Sequence, residues 1–172
     1  MRNVSRVSYF VLWLCVLPAL VLTENFWWEK VKAVKLSRKT FDKFVGTGKY
    51  AFLEFYSKSC TYCEQFYPQF NQIFDDFMGK SPLRNDLFIG KVDGEEESGL
   101  ARDLGISIYP TFILLFPDDA TFPNKYMFDR KYKVMKEYLL ALPKLAGKEG
   151  PKDKEETEKL ARKIKEVAFV DI

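Results

Sequence analysis

Cys60-Thr61-Tyr62-Cys63 places two thiols one helical turn apart, just after the apolar run Tyr50-Ala51-Phe52-Leu53-Glu54-Phe55-Tyr56. Two thiols at this spacing close or open a small disulfide with little backbone movement. From Cys60 onward, apolar residues recur at Phe66, Phe70, Ile73, Phe74 and Phe77, the periodicity of a helix face. Cys60 therefore stands at a predicted helix start, where unpaired backbone N–H groups and the positive end of the macrodipole favour a thiolate. The motif alone also permits zinc or coincidence. A zinc site would need two further ligands, yet the one remaining cysteine is Cys15 and the chain has no histidine. The missing histidine also removes His general acid–base chemistry and Cys–His nucleophile pairs. Neither a metal nor a cofactor is expected, because electrons in thiol–disulfide exchange pass between sulfurs.

Glu54 lies six residues before Cys60 in the same apolar run. The apolar neighbours on both sides favour a buried carboxyl, whose pKa desolvation would raise. Such a group near the thiols could exchange protons with Cys63 while disulfides form and break. Ile108-Tyr109-Pro110-Thr111 leads into another apolar run. A proline there is normally a strand boundary. A cis peptide would instead expose the backbone of Tyr109 to pair with an extended substrate.

The elements that must position these residues alternate. Phe26 to Leu36 is an entry segment with aromatics to bury. Ser37 to Val45 predicts a short helix stopped by Gly46 and Gly48. Tyr50 to Tyr56 predicts a central strand covered on both faces. A helix follows from Cys60, then a turn-rich stretch from Gly79 to Asp86 and a strand from Leu87 to Asp93. Glu95 to Leu104 suits a short helix ending at Gly105, Thr111 to Phe116 a strand, Lys125 to Phe128 a short edge strand. Lys131 to Leu145 carries Tyr132, Met135, Leu139 and Leu142 on one helical face. The alternation predicts an α/β fold with a central mixed β-sheet flanked by helices, in a single domain over residues 24–146.

Residues 1–23 pair Arg2 and Arg6 with a 16-residue apolar run from Val7 to Leu22, broken by Pro18. That is the pattern of a secretory signal peptide, and it is short for a spanning helix, although an uncleaved signal anchor is the alternative. Cleavage after Thr23 would remove Cys15 and leave two cysteines in an oxidising compartment. Setting Arg2 and Arg6 aside from the 27 bases leaves 25 against 24 acids, so nothing electrostatic supports nucleic-acid binding. Residues 147–172 form a charged tail, in which Leu160, Ile164 and Val167 would make a narrow apolar stripe on a late helix. A solvated tail or frayed helix is expected, with a partner-docking helix as the alternative.

Glu54-Phe55-Tyr56, Cys60-x-x-Cys63, Pro68, Lys91-Val92-Asp93 and Tyr109-Pro110-Thr111, in this order, resemble the thioredoxin superfamily, specifically a protein disulfide isomerase-type domain, over about residues 30–146. The resemblance implies the thioredoxin fold, a redox disulfide Cys60–Cys63, and catalytic roles for Cys60, Cys63, Glu54, Lys91 and Arg130. In that family the carboxylate at the place of Glu54 is buried and the lysine at the place of Lys91 pairs with it. The proline matching Pro110 is cis and borders the substrate groove, and the one matching Pro68 kinks the active-site helix. Arg130 fits the arginine that swings toward the second cysteine and lowers its pKa. Tyr109, Pro110 and Tyr62 are the expected substrate-binding residues.

The chain also departs from that pattern. Thr61-Tyr62 replaces Gly-His, Glu64 replaces the usual lysine, and Ser59 replaces a tryptophan, with Tyr62 supplying some of the lost aromatic surface. A histidine between the cysteines stabilises the thiolate and makes the couple oxidising, so a couple more reducing than a typical isomerase is expected here. The expected function is thiol–disulfide exchange with protein substrates in the secretory pathway, in the lumen of the endoplasmic reticulum. Secretion or membrane attachment through the uncleaved N-terminal segment are the alternatives. The ending Phe169-Val170-Asp171-Ile172 is not of the Lys-Asp-Glu-Leu type, so retention would need another mechanism. The rival function is a non-enzymatic binding module that keeps the fold and holds a partner in its aromatic groove or by its tail.

Overall fold

The computed structural model describes residues 26–117, 119–145 and 154–168. Residues 1–23, Cys15 among them, lie outside it, as do residues 146–153 and 169–172 of the tail. Among the described residues no helix is long and apolar enough to cross a membrane.

Five strands form one sheet: β1 (Val34–Leu36), β2 (Tyr50–Tyr56), β3 (Leu87–Asp93), β4 (Thr111–Phe116) and β5 (Asp119–Lys125). Their order is β1-β3-β2-β4-β5. β3 runs parallel to both β1 and β2, whereas β4 is antiparallel to β2 and to β5. This is the mixed sheet expected, with β2 at its centre. Every residue of β2 is buried, as an apolar run covered on both faces requires.

Side chains alternate across that strand and build two cores. Phe52 and Tyr56 join Ile89, Phe112 and Leu114 against α2 (Thr61–Met78) and α4 (Tyr132–Leu145). Phe66, Phe70, Ile73 and Phe77 of α2 are buried there, and Met135, Leu139 and Leu142 of α4 complete the layer. Leu53 and Phe55 face the other way, with Val92, Ile113 and Leu115, against α1 (Arg38–Phe41) and α3 (Ser98–Asp103). Gly90 in β3 leaves room between these layers. A Cβ there would lie 2.8 Å from the Phe88 ring and 2.9 Å from a Leu53 methyl.

Four elements differ from the sequence expectation. The entry segment is not merely a lead-in, since a 3-10 turn at Trp27–Glu29 precedes strand β1. The helix expected to Val45 ends at Phe41, because the next turn tightens into i→i+3 bonds from Lys43 to Thr40 and from Phe44 to Phe41. The helix expected from Glu95 begins at Ser98, since Asp93 holds the backbone N–H groups of Glu95 and Glu96 in a turn. The edge strand is Asp119–Lys125, not Lys125 to Phe128; it contains Pro123, which an edge tolerates.

The charged tail is helical over Lys154–Ala168 (α5) and packs against α4. Its charged side chains Glu155, Lys159, Arg162 and Lys163 are exposed, as a solvated face demands, but Leu160 is buried in the α2/α4 core.

Gly90→Ala should cost about 1–3 kcal/mol by overpacking the sheet centre. Urea unfolding should show the loss as a lower midpoint at unchanged m-value.

Candidate active site

β2 ends at Tyr56 and the chain turns through Ser57, Lys58 and Ser59 into α2. Cys60 is the N-cap of that helix. Its backbone N–H donates to the Ser57 carbonyl at 3.1 Å, and its Sγ accepts from the backbone N–H of Cys63 at 3.1 Å. A sulfur here replaces the hydroxyl or carboxylate that usually caps a helix. The same N–H is placed to stabilise a Cys60 thiolate once the pair is reduced. The two cysteines form a disulfide with Cα atoms 5.2 Å apart. Cys63 is fully buried against the α2/α4 core, while Cys60 is only partly covered. Attack from outside can therefore reach Cys60 and not Cys63. Pro68 lies exposed inside α2, two turns further on.

Glu54 sits on the face of β2 that α2 covers, between Phe52 and Tyr56. It is completely buried, and among the described residues neither carboxyl oxygen has a hydrogen-bond partner. Desolvation pushes its pKa up to about 8, against a smaller lowering by Lys91. The carboxyl is thus mostly protonated at neutral pH, which removes the cost of a buried bare charge.

Lys91 is the register partner of Glu54 on β3 and is buried too, but the expected pairing with the carboxylate is not made. Its ammonium donates to the carbonyls of Trp28 at 2.6 Å and Val31 at 2.8 Å. A long stem carries the charge to the entry segment, where two carbonyls offer better ligands than a carboxyl that burial keeps neutral. Burial also lowers the pKa of Lys91.

The Tyr109–Pro110 peptide is cis. Pro110 lines a cleft of about 210 Å³ with Tyr62, Gln65, Phe66, Gln69 and Arg130, so the site residues from α2, the proline loop and the 126–130 segment meet there. Arg130 is exposed and also borders a second cleft of about 340 Å³, lined in part by Ile108, Met127 and Phe128. Among the described residues its guanidinium forms no ion pair. Tyr62, Ile108 and Met127 are 73%, 69% and 80% exposed; such exposure of large apolar side chains leaves a greasy rim along the two clefts that Arg130 borders.

The turn after β3 was not singled out by sequence reasoning. Gly94 donates its N–H to the Tyr56 carbonyl at 2.8 Å, which ties this turn to the end of β2. A Cβ on Gly94 would lie 2.3 Å from the Tyr109 ring, so glycine allows that ring to approach the backbone closely. Glu95 accepts from the buried Ser57 hydroxyl at 2.7 Å. The signal was present as an acid-rich stretch, Gly94-Glu95-Glu96-Glu97, straight after a strand, but nothing local reveals that it faces the residues ahead of Cys60. No group of three or more Cys, Asp or Glu is placed to hold a metal among the described residues.

A family model described as Thioredoxin matches residues 32–140. Protein disulfide isomerase-like 2-2 of Oryza sativa subsp. japonica is 32% identical over 106 residues, 62% of this chain and 27% of that protein. Endoplasmic reticulum resident protein 44 of Mus musculus is 24% identical over 120 residues, 70% of this chain and 29% of that protein. The chain therefore spans between a quarter and a third of the length of these relatives. Among solved structures, the first thioredoxin domain of mouse protein disulfide-isomerase A4 superposes with a TM-score of 0.55 at 26% identity, over 63% of this chain and 73% of that one.

The raised pKa of Glu54 fixes the sign of a pH effect. Between the unfolded value of 4.5 and the folded value of about 8, the folded protein binds a proton that the unfolded chain has released. Stability from this group is therefore complete below pH 4.5 and is lost as pH rises toward 8. Glu54→Gln should abolish that decline. Denaturant titrations of both oxidised proteins between pH 5 and pH 8.5 should show the variant gaining on the wild type as pH rises; parallel curves would refute a protonated Glu54.

Proposed function

This chain belongs to the thioredoxin family, and we propose that it is a thiol–disulfide oxidoreductase exchanging disulfides with protein substrates. The observation that carries the reading is the Cys60–Cys63 disulfide at the start of α2, with its inner sulfur buried on the face that holds an uncharged Glu54. In the oxidising direction a substrate thiolate attacks Cys60 Sγ, forming a mixed disulfide and breaking the Cys60–Cys63 bond. Cys63 leaves as a thiolate and takes the proton of Glu54. A second substrate thiolate then displaces Cys60, so the substrate is oxidised by two electrons and the dithiol is left reduced. In the reducing direction the Cys60 thiolate attacks a substrate disulfide, the Glu54 carboxylate takes the proton of Cys63, and Cys63 displaces the substrate.

Tyr109 and Pro110 hold the substrate backbone beside Cys60, and Tyr62 offers an aromatic contact on the rim. Arg130, free among the described residues at the mouth of both clefts, acts on Cys63 by moving inward as the inner thiolate forms. Lys91 affects Glu54 through its field rather than by direct pairing.

The setting we infer is the secretory pathway, most simply the lumen of the endoplasmic reticulum. The basic and apolar leader in residues 1–23 supports this, and so does similarity to a protein named as resident there.

A second reading, a non-enzymatic binding module, draws on the exposed rim of Tyr62, Ile108 and Met127. The two differ in what Cys60 must do. A Cys63→Ala variant expressed in cells under mild alkylation should accumulate mixed disulfides that vanish when Cys60 is also replaced. Insulin reduction by dithiothreitol should be faster with wild type than with Cys60→Ser. Equal rates and no trapped partners would leave only the binding module.

A further inference from the structure

The three residues ahead of Cys60 are gripped by the acids of the turn that follows β3. Ser57 is 2% exposed; its carbonyl accepts from the Cys60 N–H, and its hydroxyl donates to Glu95 at 2.7 Å. The Ser59 hydroxyl lies 2.9 Å from that of Ser57 and 3.5 Å from the Glu95 carboxylate. Lys58, between them, pairs with Glu96 and lies 3.6 Å from the buried Asp93. Lys35 pairs with Glu96 from β1 at 2.5 Å.

The charges in this cluster do not cancel. Asp93 and Glu96 face the cations of Lys58 and Lys35, whereas Glu95 has no cationic partner among the described residues. Its contacts are hydroxyls, and its field reaches the proline loop, where burial raises the pKa of Tyr109 and the charges of Glu95 and Asp93 add to the rise. On α2 the nearest charge in the first turn is Glu64, again an acid. Arg130 lies with Tyr62 and Pro110 in the cleft described above. Glu95 is therefore an unneutralised anion joined through Ser57 to the backbone of the attacking cysteine.

We propose that Glu95 is a positioning residue for Cys60: it anchors the Ser57–Ser59 turn and holds a negative charge beside it that disfavours the Cys60 thiolate. The inference rests on the oxidoreductase reading and deepens it, by naming a group that makes the couple more reducing. A like charge near a thiol opposes its ionisation, and a less stable thiolate destabilises the reduced form relative to the disulfide. Ser59 contributes by giving the carboxylate a hydrogen-bonded seat.

The test is a titration of Cys60 alone, in the Cys63→Ala background, by thiolate absorbance and by the pH dependence of alkylation. With Glu95→Gln the thiol should titrate roughly half a unit lower, about threefold more thiolate at a pH below its pKa. The difference should shrink in 1 M salt, since Glu95 is exposed and its charge is screened. Glu95→Asp, which keeps the charge, should titrate close to wild type. In the Cys63-containing protein Glu95→Gln should shift equilibrium with glutathione toward the dithiol. Identical titrations for wild type and Glu95→Gln at low salt would overturn the proposal, as would Glu95→Asp behaving like Glu95→Gln. No substrate protein is involved, so failure to trap partners in cells would remove the oxidoreductase reading and leave this result standing on its own.

Discussion

A carboxyl group buried without a partner in the middle of a fully covered strand is the constraint on which the site depends. β2 must be apolar on both faces because helices cover both faces of the sheet, and Glu54 is its one carboxylic acid. Holding Glu54 charged there, with no hydrogen-bond partner among the described residues, would cost several kcal/mol. The group keeps its proton instead, and it does so on the same face as the buried sulfur of Cys63. Proton storage and sulfur burial are thus two results of one packing arrangement. Lys91 could have relieved the constraint by pairing, but its ammonium is committed to the carbonyls of Trp28 and Val31. That choice leaves Glu54 neutral and ties the aromatic entry segment to β3, inside the sheet.

A second dependence runs through the ends of β2 and β3. Both strands stop at the same level, and the backbone bond from Gly94 to Tyr56 keeps their following turns together. One of those turns leads to Cys60. The other supports Tyr109 through the bare backbone of Gly94 and Ser57 through Glu95. The outer sulfur and the proline loop are therefore positioned from a common base, so that in the proposed exchange the substrate backbone and the attacking sulfur would share a reference frame. Preorganisation of this kind is how a short segment acquires defined geometry.

Much of this was legible in the sequence, and the gaps have physical causes. The central strand, the long helix from Cys60 and the burial of Glu54 follow from apolar periodicity, which reports burial directly. The edge strand was misplaced because Tyr126-Met127-Phe128 is the more apolar stretch, whereas β5 is defined by backbone pairing to β4 and carries Pro123 and Asn124. The bonds of Lys91 were not foreseeable, since the acceptors are main-chain carbonyls sixty residues away that no side-chain pattern marks. Glu95 was missed for a related reason: an acid after a strand end looks like solvated loop until the fold sets it against Ser57. Leu160 lay on a stripe that could equally have met solvent, and only its contact with the α2/α4 core decides the matter.

On this account Thr61-Tyr62 between the cysteines, Glu64 after them and the proposed charge of Glu95 are all expected to act against a stable Cys60 thiolate. Equilibrating the Cys60–Cys63 couple with defined glutathione ratios measures their combined effect. The predicted result is a reduction potential clearly below the value of about −180 mV typical of protein disulfide isomerase, toward the −270 mV or so of thioredoxin. A potential at or above about −180 mV would contradict it.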